Sequence, residues 1–201
     1  MIQDILIIIL LWAVYFFIHS LMADNKFKLV VKNWVGRKFI YYRLIYVFIS
    51  VFGLVGIVYF LATHHSFQIL PPIAGVKYGG LVLASWGAII IKHAIKNYSM
   101  RDFLGIAFKE ERPEFVNSGL LNYVRHPLYT GTILFTIGFW LYIPNLLNLV
   151  TVICIFIYLF IGIKLEERKL VEAFGERYLQ FQQSTPMLFP RLKHIKKLIT
   201  G

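Results

Sequence analysis

Leu128 to Ile163 reads LYTGTILFTIGFWLYIPNLLNLVTVICIFIYLFIGI, and this stretch decides the fold. No charged side chain interrupts it, and its only strong break is Pro144-Asn145. A proline followed by asparagine initiates a turn. The stretch therefore divides into two apolar helices, Leu128 to Ile143 and Leu146 to Ile163. The first is short, about 24 Å by helix geometry, against a hydrocarbon thickness of roughly 30 Å. So tight a link makes the pair an antiparallel hairpin, which brings the residues before Leu128 and after Ile163 together.

Outward from the hairpin, further apolar blocks run from Ile5 to Met22, Tyr41 to Ala62 and Val76 to Ile91, the last reaching Ile95 if Lys92 snorkels to the headgroups. The chain is 58% hydrophobic and only 15% charged, with a mean hydropathy of +0.67. A soluble domain of this size carries nearer a quarter charged residues. The expected fold class is thus all-α, a polytopic membrane helical bundle of about five transmembrane helices, forming a single domain over residues 1–201. A C-terminal cytoplasmic amphipathic helix is expected within LEERKLVEAFGERYLQF. The opening MIQDILIIIL lacks a basic leader and a cleavage pattern, so it reads as a retained span.

The basic residues fix the orientation. Lys26, Lys28, Lys32, Arg37, Lys38 and Arg43 fill the first connection. Lys92, Lys96, Arg101, Lys109, Arg112 and Arg125 fill the third, and eight more follow Ile163. Of the 21 lysines and arginines, five spans leave only Lys77 on the other side. By the positive-inside rule the N-terminus is outside and the C-terminus cytoplasmic, in a bacterial inner membrane or an organelle membrane. The net charge of +11 would suit nucleic acid on a soluble fold. Placed between apolar blocks, it suits the headgroups of membrane lipids, and no nucleic-acid partner is expected. Cys154 is the only cysteine, so neither a disulfide nor a multi-cysteine metal site is expected. No obligate protein partner is implied.

Polar residues gather where the hairpin ends meet: Asn122, Tyr123, Arg125, His126, Tyr129 and Thr130 on one side, Glu166, Glu167 and Arg168 on the other. Neighbouring glutamates on a helix point about 100° apart, so only one can face the bundle squarely. They suit either an acidic site or a solvated helix end, with Glu172 and Glu176 paired to Arg168 and Lys169. Arg125-His126-Pro127 suits a membrane-surface helix start. It equally suits an anion site, in which Arg125, His126 and the first amides of the helix hold a carboxylate. Tyr129 and Tyr178 read as interfacial anchors, and Gly131 as a close helix contact. His19 and His93 read as hydrogen-bonding groups within the bundle or at helix ends.

Arg125-His126-Pro127-Leu128-Tyr129-Thr130-Gly131 resembles the RHPxYxG motif of the membrane-embedded S-adenosylmethionine-dependent methyltransferases, the group of isoprenylcysteine carboxyl methyltransferase and phospholipid methyltransferases. Glu166-Glu167, Leu170, Phe174-Gly175, Tyr178, Phe181 and Pro186 to Pro190 resemble the second half of that signature, so the diagnostic region is 119–191. Tyr15 to Ala23 and Tyr42 to Tyr46 are similar to the nurim, NnrU and methanethiol S-methyltransferase branch.

The resemblance implies S-adenosyl-L-methionine as cofactor and a lipophilic or small thiol-containing acceptor. It implies that His126, Tyr129, Gly131, Glu166 and Glu167 line the cofactor pocket, with Arg125 and Glu167 at the catalytic face. Methyl transfer from a sulfonium needs alignment and exclusion of water more than strong acid–base chemistry. Soluble nucleotide-binding glycine loops are absent, and no metal site is expected. Too few spans and no repeated broken helices argue against a transporter. The other expectation is a non-catalytic scaffold of nurim or NnrU type. The segment Tyr98 to Asn122 reads as a lid or a connector, with Phe103 to Ile106 suited to a membrane-surface helix.

Overall fold

In the computed structural model of the chain, residues 1–71, 73–96 and 118–191 are described, and their regular structure is entirely helical. The helices are α1 (Ile2–Ala23), α2 (Asn25–Val35), α3 (Tyr42–Thr63), α4 (Ala74–Lys96), α5 (Pro127–Tyr142), α6 (Leu146–Phe174) and α7 (Glu176–Ser184). Short 3-10 turns lie at Gly36–Tyr41 and Gly119–Asn122. Most of the expected Tyr98 to Asn122 connector and the tail beyond Arg191 lie outside the described residues.

Four helical stretches are long and apolar enough to cross a membrane: Ile2–Ala23, Asn25–Thr63, Ala74–Ile95 and Leu146–Phe174. This is the make-up of a multi-pass membrane protein. Helix α5 is equally apolar but has 16 residues. Phe17, Phe52, Tyr59 and Trp86 all stand exposed, an arrangement that is unfavourable in water and natural in hydrocarbon.

One expectation is revised. The connection after the first span is an ordered helix, α2, started by Asp24, whose Oδ1 accepts from the amides of Lys26 (2.9 Å) and Phe27 (3.0 Å). Helix α6 runs on past the apolar block ending at Ile163, through Glu166 and Glu167 to Phe174. It stops where Gly175 adopts φ +55°, a left-handed conformation that favours glycine. The amphipathic continuation is thereby divided between α6 and α7.

The chain forms two compact units. Among the described residues, the first holds 1–71 and 143–155, and the second holds 73–96, 118–142 and 156–191.

In the first unit, Ile8, Trp12, Ile57 and Leu147 form the buried core. Trp12 satisfies its indole N–H by donating to Thr151 Oγ1 at 3.1 Å, as a buried donor must. The Pro144-Asn145 turn is pinned by Ile69 N–H donating to Pro144 O (2.8 Å) and Leu146 N–H to Phe67 O (2.9 Å). Asn145 Oδ1 caps α6 by accepting from Asn148 N–H at 2.8 Å.

In the second unit, α4 and α5 cross at glycines. A Cβ added at Gly87 would lie 2.4 Å from Phe135 N, and one at Gly138 would lie 2.4 Å from Ala84 N. Only hydrogen fits at these points, which is how small residues let membrane helices approach closely.

Candidate active site

The second unit gathers Arg125, His126, Glu166 and Glu167 at the start of α5 and the middle of α6. Glu167 is the acid that turns inward: its side chain is 15% exposed, while that of Glu166 is 44% exposed. Arg125 donates through Nε to Glu167 Oε1 at 2.8 Å, and its Nη2 lies 2.7 Å from the same oxygen. His126 Nε2 lies 3.1 Å from that oxygen, and its Nδ1 lies 3.8 Å from Glu166 Oε2.

A strap from the C-terminal side closes over this cluster. Arg125 Nη1 donates to the carbonyls of Gln182 (2.9 Å) and Thr185 (2.7 Å). The amides of Arg125 and His126 donate to the carbonyls of Pro186 (2.9 Å) and Met187 (3.1 Å). The Thr130 hydroxyl donates to Leu188 O at 2.6 Å. This changes the expectation for the helix start. The amides of Arg125 and His126 cap the strap, and Pro127 has no N–H to offer a ligand. Arg125 is likewise engaged on both sides, so it ties the strap to Glu167.

Tyr129 stands edge-on to His126, with ring centroids 5.5 Å apart, and its hydroxyl end rests against α6 at Gly162, where an added Cβ would lie 3.3 Å from the oxygen. Gly131 is not brought into the cluster. It faces α4, where an added Cβ would meet Ile91 Cγ1 at 2.8 Å and Gly87 O at 2.9 Å.

Tyr178 is fully buried and not an interfacial anchor. Burial, reinforced by the nearby Glu167 carboxylate, pushes its phenol up to about 12, so it stays protonated beside the acids. Tyr178 was already part of the signature that the sequence carries, but its burial was not legible there. The carbonyls of Gln182, Thr185 and Leu188 carry no sequence signal, because any residue supplies them.

Before any proton on His126 is counted, Arg125, Glu166 and Glu167 carry one net negative charge. Glu166 is the partly exposed acid of the three, with the exposed Lys169 one turn further along α6. Among the described residues no cluster of histidine, cysteine and acids suits a metal ion. His19 and Ser50 line a separate cavity of about 490 Å³ between α1 and α3, which includes none of the residues above. There His19 Nδ1 lies 3.3 Å from Ser50 Oγ, and its Nε2 lies 2.9 Å from the Tyr46 hydroxyl.

Comparison with known proteins places this geometry in context. A methanethiol S-methyltransferase 1 of Bradyrhizobium diazoefficiens is 28% identical over 204 residues, covering 94% of this chain and 67% of that protein. A methanethiol S-methyltransferase of Crocosphaera subtropica is 31% identical, covering 57% of this chain and 47% of that protein. One from Pseudomonas deceptionensis is 42% identical, covering 37% and 28%. The chain thus spans two thirds of the first relative's length and less than half of the other two. No solved structure matches. Residues 76–177 match the family described as phospholipid methyltransferase. That match takes in half of the chain, including Arg125, His126, both glutamates and the α4–α5 crossing, and the chain belongs to this family.

Proposed function

We propose that this protein is a membrane-embedded methyltransferase that uses S-adenosyl-L-methionine and acts on a small or lipophilic thiol. The observation that carries the reading is the buried pairing of Arg125 and His126 on Glu167, with Glu166 left partly exposed beside it. The family match over these residues supports the cofactor, and the relatives' names support a thiol acceptor.

The residues fit the cofactor's charge. Glu166 would hold its ammonium group or ribose hydroxyls, and Tyr129 would form an apolar wall. Gly131 would shape the pocket indirectly, by setting how closely α5 approaches α4. When bound, the cofactor supplies a methyl group on a positive sulfonium, which ends on the acceptor sulfur while S-adenosylhomocysteine is left.

His126 would manage the acceptor's proton. Glu167 holds the Nε2 side of the ring and so favours the tautomer with Nδ1 as the basic nitrogen. Nδ1 takes the thiol proton as the new carbon–sulfur bond forms and passes it to Glu166 or solvent. Arg125 is a positioning residue in this scheme, fixing Glu167 and the strap.

The architecture we propose has five spans, with α5 as the short fourth, and a single domain in which α6 runs through both units. The N-terminus lies outside and the C-terminus, with α7, lies on the cytoplasmic side, as the basic residues favour.

The test is methyl transfer from S-adenosylmethionine carrying an isotopically labelled methyl to methanethiol and to longer alkyl thiols, with protein purified in detergent. Thioether formation that is lost in His126→Gln, with cofactor binding kept, is the expected result. Cofactor binding without transfer to any thiol would overturn the acceptor assignment, and absence of binding would favour a non-catalytic scaffold.

A further inference from the structure

Helix α2 reads NKFKLVVKNWV and has no buried residue. Phe27, Val30, Val31, Trp34 and Val35 recur at the i, i+3, i+4, i+7, i+8 spacing, so they share one face. Trp34 on that face is 88% exposed. Lys26 and Lys28 flank this face at its two edges, Asn25, Lys32 and Asn33 lie on the far side, and Arg37 and Lys38 follow directly; of these cations Lys26, Lys32, Arg37 and Lys38 are exposed. Leu29 is the one apolar residue on the polar side.

A helix of 11 residues is below the length of about 12–15 that is stable alone in water. Yet both ends of α2 are built. Asp24 caps its start, and Gly36 takes φ +55° at its end. Such a helix needs a surface to lie on. It is tied at one end to α1 and at the other, through the turn Gly36–Tyr41, to α3, and both of these are long enough to cross a bilayer. The surface within its reach is the membrane interface. An apolar face centred on an aromatic, with lysines at and beyond its edge, is the composition of an interfacial helix on anionic lipid.

We infer that α2 is a lipid-binding element of this protein, seated along the interface with Val30 and Trp34 sunk among the acyl chains and Lys26, Lys32, Arg37 and Lys38 on the phosphates of anionic phospholipid. The occupant is lipid rather than a second copy because the exposed charges beside the apolar face are all positive and would repel their own image.

The experiment places a nitroxide spin label, one at a time, at Val30→Cys, Trp34→Cys and Asn33→Cys in the full chain carrying Cys154→Ser. Reconstitution is into nanodiscs of phosphatidylcholine, alone or mixed with phosphatidylglycerol. The label at residue 30 or 34 should collide severalfold more with oxygen than with a water-soluble nickel chelate, and the label at 33 should show the reverse. Phosphatidylglycerol should deepen the labels at 30 and 34, and replacing Lys26, Lys32, Arg37 and Lys38 with glutamine should abolish that lipid effect. Equal exposure of all three labels to the nickel chelate would overturn the inference. So would spin–spin broadening at residue 34, which would mean that a second copy covers the face, or depth that does not change with lipid charge.

Discussion

Glu167 takes three donors from Arg125 and His126 on a single oxygen while its own side chain is 15% exposed. Removing one member of so buried a pairing strands the other's charge, at a cost of about 3 kcal/mol. Glu167→Gln is therefore expected to lower stability by roughly that amount. Glu166→Gln, at a side chain 44% exposed, should leave thermal unfolding nearly unchanged; equal losses in the two variants would contradict the inward and outward assignment. That assignment was not legible from sequence, since adjacent helical positions differ by a rotation whose origin only packing sets. Tyr178 makes a second prediction. Its phenol is raised from 10.0 to about 12, so between those values an unfolded chain ionises while the folded chain keeps the proton. The folded state then binds more protons, and stability falls as pH rises through this window. Tyr178→Phe should remove that share of the alkaline loss, measured as unfolding temperature against pH. A variant profile parallel to the wild type would contradict it.

Among the elements, the α4–α5 crossing depends on glycine. An alanine Cβ at Gly87 would meet backbone atoms, Phe135 N at 2.4 Å and Gly131 O at 2.6 Å, which no rotamer change relieves. Gly87→Ala is expected to cost about 3 kcal/mol by overpacking. In α3, a Cβ at Gly56 meets nothing within 4 Å, so Gly56→Ala should be neutral or slightly stabilising. Thermal unfolding in detergent separates the two, and similar behaviour would mean that the helices do not cross at Gly87. The seven-residue spacing of Gly80 and Gly87 and of Gly131 and Gly138 was a legible sign of this contact; Gly131 taken alone suggested a close helix contact, and only the family resemblance placed it in a pocket. Helix α2 was also written in the sequence, at Phe27, Val30, Val31, Trp34 and Val35, but six basic residues in a short connection made it read as a loop. Pro144-Asn145 was read correctly as a turn because its chemistry is local. The strap from Gln182 to Leu188 was not legible, because main-chain carbonyls carry no residue code.

For the whole molecule, the long apolar blocks were the most legible feature, since a bilayer demands helix-length hydrophobic runs. The exception is α5, whose 16 residues give about 24 Å, short of a usual span. If it crosses, the turn at Asn145 lies outside and both Arg125 and Glu167 lie on the cytoplasmic side. In cells, cysteines placed at residues 65 and 143 in a Cys154→Ser background should then react with a membrane-impermeant maleimide, while one at residue 177 should not. Labelling at residue 177 without permeabilisation would reverse the orientation. Together these features support the proposal that Glu166, beside Arg125, His126 and Glu167, holds a cationic methyl donor. The most direct measurement is calorimetric titration of the detergent-purified chain with S-adenosylmethionine and S-adenosylhomocysteine, alongside Glu166→Gln. Saturable binding of both is expected, weakened about tenfold by loss of one charged hydrogen bond in the variant. A folded wild-type protein that binds neither, or a Glu166→Gln variant that binds as tightly as wild type, would contradict it.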